Sequence, residues 1–525
     1  MKNRLGRIIF FSIVLLAAFL RLYRLTSVPP SISWDEAAVG YNAFTISHWG
    51  KDEWGKIFPL VFKSFEDYKH PVHIYLTSVA VAVLGLNDFA VRLPSALFGV
   101  GNVILIYFLA QKIFRNKYLG LISSFILAIS PYNLQFSRFN HELNFVIFFF
   151  MLGVLLFFEG IEGKKKLLPF SFLSFGICLY SYHSSKIVAF PLIILLVILY
   201  FKNLIQIKRH FFLGLFVFGI FLLGIMFNPE LLGLARIKQT SFQNSSLTER
   251  IVIIGKQYLW HFSPKYLFLT GDKNARHSTG VVGEFYKSDS LFLLLGTLLL
   301  IGGVIKKKKE YLFLLAWALL APLPSAMVNE APHAARAMFM LVSWHLLIAF
   351  GIFKFLSLFK KRYLWIMPLL IILFLYGFEF TRYAKYYFGE YPVRYAIDWQ
   401  YGMKEVVRVA KGDNFYSVFV TDARSQPYIF FLYYLKTPLP EFFETVEYNS
   451  TISRSYNLVT SFGKYQFADW DPVGTFPDDT VLYAVTPSQY SGLMYKNYFN
   501  RADVVKLPNG SDAFYLVSGK KELKY

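Results

Sequence analysis

Two adjacent carboxylates, Asp35 and Glu36, follow Pro29-Pro30 and Trp34 about ten residues beyond an N-terminal apolar run. A carboxylate placed there could take a proton from an acceptor hydroxyl or amine. The pair equally suits the first turn of a helix running through Ala37–Ser47, where the macrodipole favours negative charge. Further along, Tyr68-Lys69-His70-Pro71-Val72-His73 leads into an apolar segment ending at Leu86. Lys69 could contact a phosphate headgroup there, or be a snorkelling lysine that marks the interface. The run Ser137-Arg138-Phe139-Asn140-His141-Glu142 offers Arg138 for phosphate and Glu142 to orient it, with a loop ion pair as the plain alternative. His141 and Glu142 would diverge by roughly 100° on a helix, which does not suit joint chelation of one metal. Two later segments contribute Tyr182 (Tyr180–Lys186) and His333 with Arg336 (Glu330–Arg336). Arg336 opens an apolar run, where a charge is costly unless paired or facing a cavity; an anionic lipid phosphate would suit it, as would a structural partner. His70, His73, His141, Glu142, Tyr182 and His333 are the candidate substrate-binding positions.

The elements that must position these residues are membrane helices. The chain has 525 residues, 55% hydrophobic and 17% charged, where a soluble chain carries about 25% charged residues. Its apolar blocks approach the roughly 20 residues that cross a bilayer. The 57 Phe and 35 Tyr suit helix interfaces and headgroup belts. The net charge of +21 lies mostly in short loops between apolar runs, so topology explains it and no nucleic-acid partner is expected. A single cysteine, Cys178, excludes an intrachain disulfide framework and a cysteine-based metal cluster. The N-terminus has a basic start and an apolar stretch without a convincing small-residue cleavage site, so it reads as a retained first span.

Apolar runs at 8–25, 91–113, 118–135, 143–159, 167–182, 185–201, 211–228, 289–305, 311–328, 336–358 and 363–381 predict eleven spans. Pro71 to Leu86 is marginal in length. If it stays in the interface, Lys2/Arg4/Arg7, Lys112/Arg115/Lys117, Lys164–Lys166, Lys202/Lys208/Arg209, Lys306–Lys309 and Lys360–Arg362 all face the cytoplasm, as the positive-inside rule requires. The expected protein is therefore a multi-pass plasma-membrane protein with a cytoplasmic N-terminus. Its transmembrane domain (1–388) carries outer loops at about 26–90 and 229–288, and a small extracytoplasmic α/β domain follows at 389–525. In that tail, Tyr416–Thr421, Val481–Thr486 and Ala513–Val517 read as strands, and Trp399–Ala410 and Tyr428–Leu435 as helices.

No P-loop, dinucleotide glycine fingerprint, H-E-x-x-H or G-x-S-x-G elbow appears, which argues against an ATP-driven pump, an NAD enzyme and a common membrane hydrolase. The order Trp34-Asp35-Glu36-Ala37, Lys69-His70-Pro71 with Tyr75-Leu76, Gly85 through Arg92-Leu-Pro94 to Gly99, Ser130-Pro131 and Ser137-Arg138 resembles bacterial relatives of protein O-mannosyltransferases and of the lipid A aminoarabinose transferase (glycosyltransferase family 39-like). It covers about 1–200 well and 311–360 loosely. The resemblance implies the GT-C fold, with juxtamembrane helices in the first outer loop. It implies a sugar moved from a polyprenyl-phosphate donor, within a lipid membrane, to an extracytoplasmic acceptor by inverting displacement. Asp35, with Glu36 beside it, would be the catalytic base or acceptor-positioning group, and Lys69, Arg138 and Arg336 the donor-phosphate contacts. Here His70-Pro71 replaces a Pro-Pro common in the group, and Arg138 with Glu142 stands where some relatives carry an aspartate. No cofactor is required by the sequence, and a divalent metal has no support in it. The principal alternative is a transporter or flippase for a lipid-linked glycan, although neither internal repeats nor interrupted helices are evident. A second alternative is a non-catalytic scaffold whose tail binds partners.

Overall fold

The structure, a computed structural model, describes residues 2–65, 67–233, 246–359, 364–412, 414–449, 457–469 and 476–520. Among these, six helices are long and apolar enough to cross a bilayer: Arg4–Leu22, Asp88–Phe114, Leu143–Ile161, Lys208–Phe227, Met340–Ser357 and Ile366–Arg394. Helices Lys117–Ala128 and Pro131–Ser137, bent by 59° at their break, make a seventh crossing if they count as one span. Helices also form at the other four expected spans, but Leu168–Leu179, Ser184–Leu199, Asp289–Ile305 and Lys309–Leu320 run only 12, 16, 17 and 12 residues. At 1.5 Å per residue the longest of these reaches about 25 Å, short of a 30 Å hydrocarbon layer. Apolar sequence continues past some of these ends while the helix does not: Pro322 and Pro324 close one, because proline lacks the N–H that would extend the ladder. Pro71–Leu84 is a 14-residue helix. The basic stretch Lys360–Arg362 lies outside the described residues.

The chain divides into two compact units. The first comprises Met1–Tyr23, Tyr68–His73 and Leu93–Tyr387 and holds most of the long helices. Helices pack here through aromatic side chains and close backbone approach. A Cβ on Gly296 would lie 2.0 Å from the Leu347 carbonyl oxygen, and one on Gly351 would lie 2.0 Å from that of Phe292. Glycine at both points lets two helices touch backbone to backbone, the usual device where lipid tails remove any hydrophobic drive between helices. Trp317 donates to the Phe339 carbonyl at 3.0 Å, and Phe150 meets both Trp317 and Phe339 edge-on. Buried polar groups are bonded to one another: Asn102 to Asn144, Asn144 to Ser95 and Phe136, and Arg21 to Asn133 and the Ala128 carbonyl. Such pairing is needed where no water satisfies a buried amide.

The second unit comprises Arg24–Asp67, Ile74–Arg92 and Phe388–Tyr525. Its centre is a seven-stranded mixed sheet. In chain order its strands, numbered after β1 (Phe62–Ser64) and β2 (Asp67–Lys69), are β3 (Ser417–Thr421), β4 (Glu447–Tyr448), β5 (Val459–Phe462), β6 (Tyr465–Ala468), β7 (Val481–Val485), β8 (Phe499–Lys506) and β9 (Asp512–Gly519). The spatial order is β4-β5-β6-β3-β7-β9-β8, with β3 parallel to both β6 and β7 and the remaining pairs antiparallel. The alternation that marks Val418 and Val420 as inward residues in the sequence matches their full burial. Helices Met403–Ala410 and Pro427–Leu435 join the same core, which also takes in Ala37, Ala38 and Tyr41 from the helix Trp34–Trp49. That helix crowds Tyr433 and Val91 at Gly40, where any Cβ would come within 2.8 Å of both side chains.

Candidate functional site

In the second unit the two carboxylates differ completely in circumstance. Helix Trp34–Trp49 opens with a capping box: the Ser33 hydroxyl accepts from the Glu36 N–H at 3.3 Å, and the Glu36 carboxylate accepts from the Ser33 N–H at 3.1 Å. This reciprocal pairing satisfies two otherwise orphaned donors of the first turn. The Glu36 side chain is fully buried and accepts from the Arg92 guanidinium at 2.8 and 3.1 Å. Arg92 also donates to the carbonyls of Leu25, Pro29 and Ser31. The pair therefore fastens the 25–31 loop to the helix. Glu36, a predicted partner in catalysis, is committed to holding the turn together. Asp35, on the same turn, is only partly buried.

In the first unit, helix ends and the loops joining them assemble a second set. Glu142 precedes helix Leu143–Ile161 and lies 3.7 Å from His73 and 3.5 Å from His141. Burial raises its carboxyl, but His73, His141 and Lys69 outweigh that and bring it down to about 2. Lys69 is thus electrostatically coupled to Glu142. Ring contacts run on from His141 to Tyr182 (6.0 Å between centroids), to His277 (6.3 Å) and from His277 to His333 (4.7 Å). His70 is buried, meets His183 edge-on at 4.2 Å and hydrogen-bonds Lys186. Burial first, then the charges of Lys186, His183 and His73, holds the His70 imidazole well below its usual value. Burial, His277 and Arg336 do the same for His333. Arg336 donates to the Asn329 carbonyl at 3.3 Å and lies 3.7 Å from the exposed Glu330 carboxylate.

Of the predicted residues, Lys69, His70, His73, His141, Glu142, Tyr182 and His333 are gathered into this set. Arg138 is placed differently. Fully buried, it donates to the carbonyls of Leu20 and Tyr23 at the end of the first helix, at 2.5 and 2.6 Å, with its guanidinium 5.8 Å from the Tyr387 ring. That is a helix-capping placement, which favours the structural alternative over phosphate contact.

Four residues of the set were not among the predicted sites: His183, Lys186, Asp272 and His277. The first two stand in a segment already notable for its polar groups. Asp272 and His277 sit in Gly271–His277, which matches no chemical motif, and their partner His333 is about sixty residues away, so no local spacing announces them. Asp272, His277 and His333 offer ligand atoms within 4.8 Å of one another, close enough to share a metal ion. Asp272 is nonetheless well bonded. Its Oδ2 accepts from the Ala334 N–H at 2.7 Å and lies 3.0 Å from His277 Nδ1, and its Oδ1 accepts from the Asn274 N–H at 2.9 Å. Despite burial, its bond to His277 and the nearby imidazoles push the carboxyl down. As it stands the trio is a clamp tying two loops together.

The many helices and the mixed-sheet unit define a polytopic membrane protein with a GT-C-like fold. The chain is similar in fold to ArnT from Cupriavidus metallidurans bound to undecaprenyl phosphate, with a TM-score of 0.53 at 12% identity over 98% of both chains. It is also similar to the oligosaccharyltransferase AglB from Archaeoglobus fulgidus, with a TM-score of 0.54 at 15% identity over 83% of this chain and 64% of that one. In sequence, residues 68–226 match the family described as dolichyl-phosphate-mannose-protein mannosyltransferase. The resemblance read from the motifs is borne out. A stretch of 97 residues is 33% identical to "Putative mannosyltransferase YkcB" of Bacillus subtilis (strain 168), covering 18% of this chain and 13% of that protein. Another of 97 residues is 26% identical to YycA of the same strain, which carries the same description, covering 18% and 14%. The chain thus spans a small part of the length of these relatives.

Proposed function

We propose that the chain is a membrane glycosyltransferase that moves a sugar from a polyprenyl-phosphate donor to an extracytoplasmic acceptor. The observation that carries this reading is the content of the family-matching segment 68–226. It holds Lys69, His73, His141, Glu142 and Tyr182, gathered at helix ends into one basic, histidine-rich set. In the proposed reaction Asp35 takes the proton from the acceptor hydroxyl or amine. The acceptor atom bonds to the anomeric carbon from the face opposite the phosphate. The carbon–oxygen bond to the phosphate breaks, and the lipid phosphate departs with the electron pair. Lys69 and Arg336 face the charge that develops on that phosphate, where fixed cations each contribute a few kcal/mol. Eleven passes, with the N-terminus cytoplasmic and the sheet unit outside, accommodate this chemistry. The four short helices complete their passes through the non-helical residues beyond their ends, backbone tolerated at membrane depth when buried in protein.

The test is to incubate the purified protein in lipid with a panel of polyprenyl-phosphate sugars and candidate acceptors, and to follow release of the lipid phosphate. Consumption of one donor, lost in Asp35→Asn, supports the reading. A protein that binds these lipids but consumes none across the panel contradicts it.

A further inference from the structure

The sheet of the second unit has a topological switch at its centre. Strands β6, β3 and β7 run parallel and end on one edge, at Ala468, Thr421 and Val485. From the end of β3 the chain turns through 422–426 into helix Pro427–Leu435, which packs on the face that buries Val418, Val420 and Leu482. From the end of β7 it turns at Thr486 into helix Pro487–Ser491, whose Tyr490 packs with Tyr483, Val485 and Val517. Successive residues of a strand point to opposite faces, so these two neighbouring strands send their chains away from each other. Such a divergence leaves a crevice outside the carboxyl ends of the strands, the place where open sheets with parallel strands bind ligands.

The residues at this edge are polar. Gln489 ties the two turns together: it donates to the Thr421 hydroxyl at 2.8 Å and accepts from the Thr486 N–H at 3.1 Å and hydroxyl at 3.0 Å. Gln426 is the contrast. It is 5% exposed, and its Oε1 has no hydrogen-bond partner among the described residues. A buried acceptor in that state carries its full desolvation cost. The backbone beneath it is strained as well: Ser425 and Gln426 are consecutive non-glycine residues with φ of +61° and +52°, a conformation that gathers at ligand sites. An anionic ligand does not suit the turn. It has no glycine to cradle a phosphate, it includes Asp422, and its one cation, Arg424, donates to the Tyr401 and Ala513 carbonyls. A sugar hydroxyl, donor and acceptor at once, matches a side-chain amide.

We propose that the crevice at the carboxyl ends of β3 and β7, with Gln426 as its anchor, binds a neutral carbohydrate chain. Gln426 Oε1 accepts from a sugar hydroxyl. That this chain is the acceptor presented for glycosyl transfer rests on the transferase reading; the binding itself does not.

The test uses the full chain in lipid nanodiscs, with mannotetraose, maltotetraose, cellotetraose, chitotetraose and AMP as probes and calorimetric titration as the readout. At least one oligosaccharide is expected to bind the parent, and AMP is not. Gln426→Met keeps the side-chain length but removes the amide, and should weaken that oligosaccharide roughly fivefold or more. Gln426→Glu, which keeps an acceptor oxygen, should stay within about threefold. The ligand-free melting temperature of Gln426→Met is expected to equal or exceed that of the parent, since a buried acceptor without a partner is removed. The crevice is overturned if no oligosaccharide binds the parent, or if Gln426→Met binds as the parent does. It is equally overturned if that variant melts lower and loses binding, which marks a structural glutamine, or if AMP binds in place of the sugars. Gln426-dependent oligosaccharide binding in a protein that consumes no lipid-linked donor would keep the crevice and remove the transferase reading. Sugar transfer by a protein that binds none of the four oligosaccharides would do the reverse.

Discussion

At the scale of single residues the division of labour between Asp35 and Glu36 is the most informative feature. Glu36→Ala leaves Arg92 buried without its carboxylate, and loss of one partner of such a pair costs about 3–5 kcal/mol. A lowered melting temperature and poor recovery of folded protein are expected. Asp35→Asn, on a partly exposed side chain, should melt like the parent while losing transfer of sugar; an active Asp35→Asn removes Asp35 as the base. The sequence showed both carboxylates and their place at a helix start. It did not show which was committed, because Arg92 lies 56 residues away and only packing brings it to the turn. Glu142 gives a pH-dependent expectation. Its folded value, about 2, lies below its ordinary 4.5, so its stabilising contribution is complete above that ordinary value and is lost as pH falls from there toward 2. The melting temperature of the parent should decline through that window more steeply than that of Glu142→Gln. Equal slopes would show that His73, His141 and Lys69 do not hold the carboxylate as described.

Elements add a constraint that residue types alone do not reveal. Helices Asp289–Ile305 and Met340–Ser357 touch at Gly296 and Gly351, where a Cβ would overlap a backbone oxygen. Backbone cannot swing aside as a side-chain tip can. Gly351→Val is therefore expected to cost at least the 1–3 kcal/mol typical of overpacking. The measurement is thermal unfolding in detergent, and a variant as stable as the parent contradicts the close approach. Apolar run length located these helices well: all eleven predicted runs coincide with helices. It misjudged their lengths, since hydropathy is blind to where the ladder breaks. Tyr180 to His183 interrupts one apolar stretch, and Pro322 and Pro324 another. The residues at those breaks, including His183 and Lys186, are among the ones the sequence did not single out as a site. In the tail, β3, β7 and β9 and the helices Met403–Ala410 and Pro427–Leu435 were legible from alternation and composition. The pairing order was not, because strand neighbours are set by long-range contact rather than by local pattern.

For the molecule as a whole, orientation is open to a direct measurement. Cys178 is buried and is the chain's single thiol, so the parent is close to a silent background for labelling. Under the eleven-pass arrangement Lys164→Cys should react only after the membrane is permeabilised, and Ser511→Cys should react with an impermeant reagent from outside. Labelling of both from one side would exclude that arrangement.

The composition of the second unit bears on how the protein is made. The helix carrying Asp35 emerges from the ribosome early, yet the core it packs into is completed by Ala396, Val418, Tyr433 and Leu516. Domains generally fold as units while synthesis proceeds from the N-terminus, but this one draws its core from residues 32–91 and 396–516, far apart along the chain. The helix that carries the candidate base therefore acquires its full core only after residues 396–516 have been made, several membrane helices later. Chains truncated before about residue 396 are expected to lack that core while still holding the membrane helices that precede it.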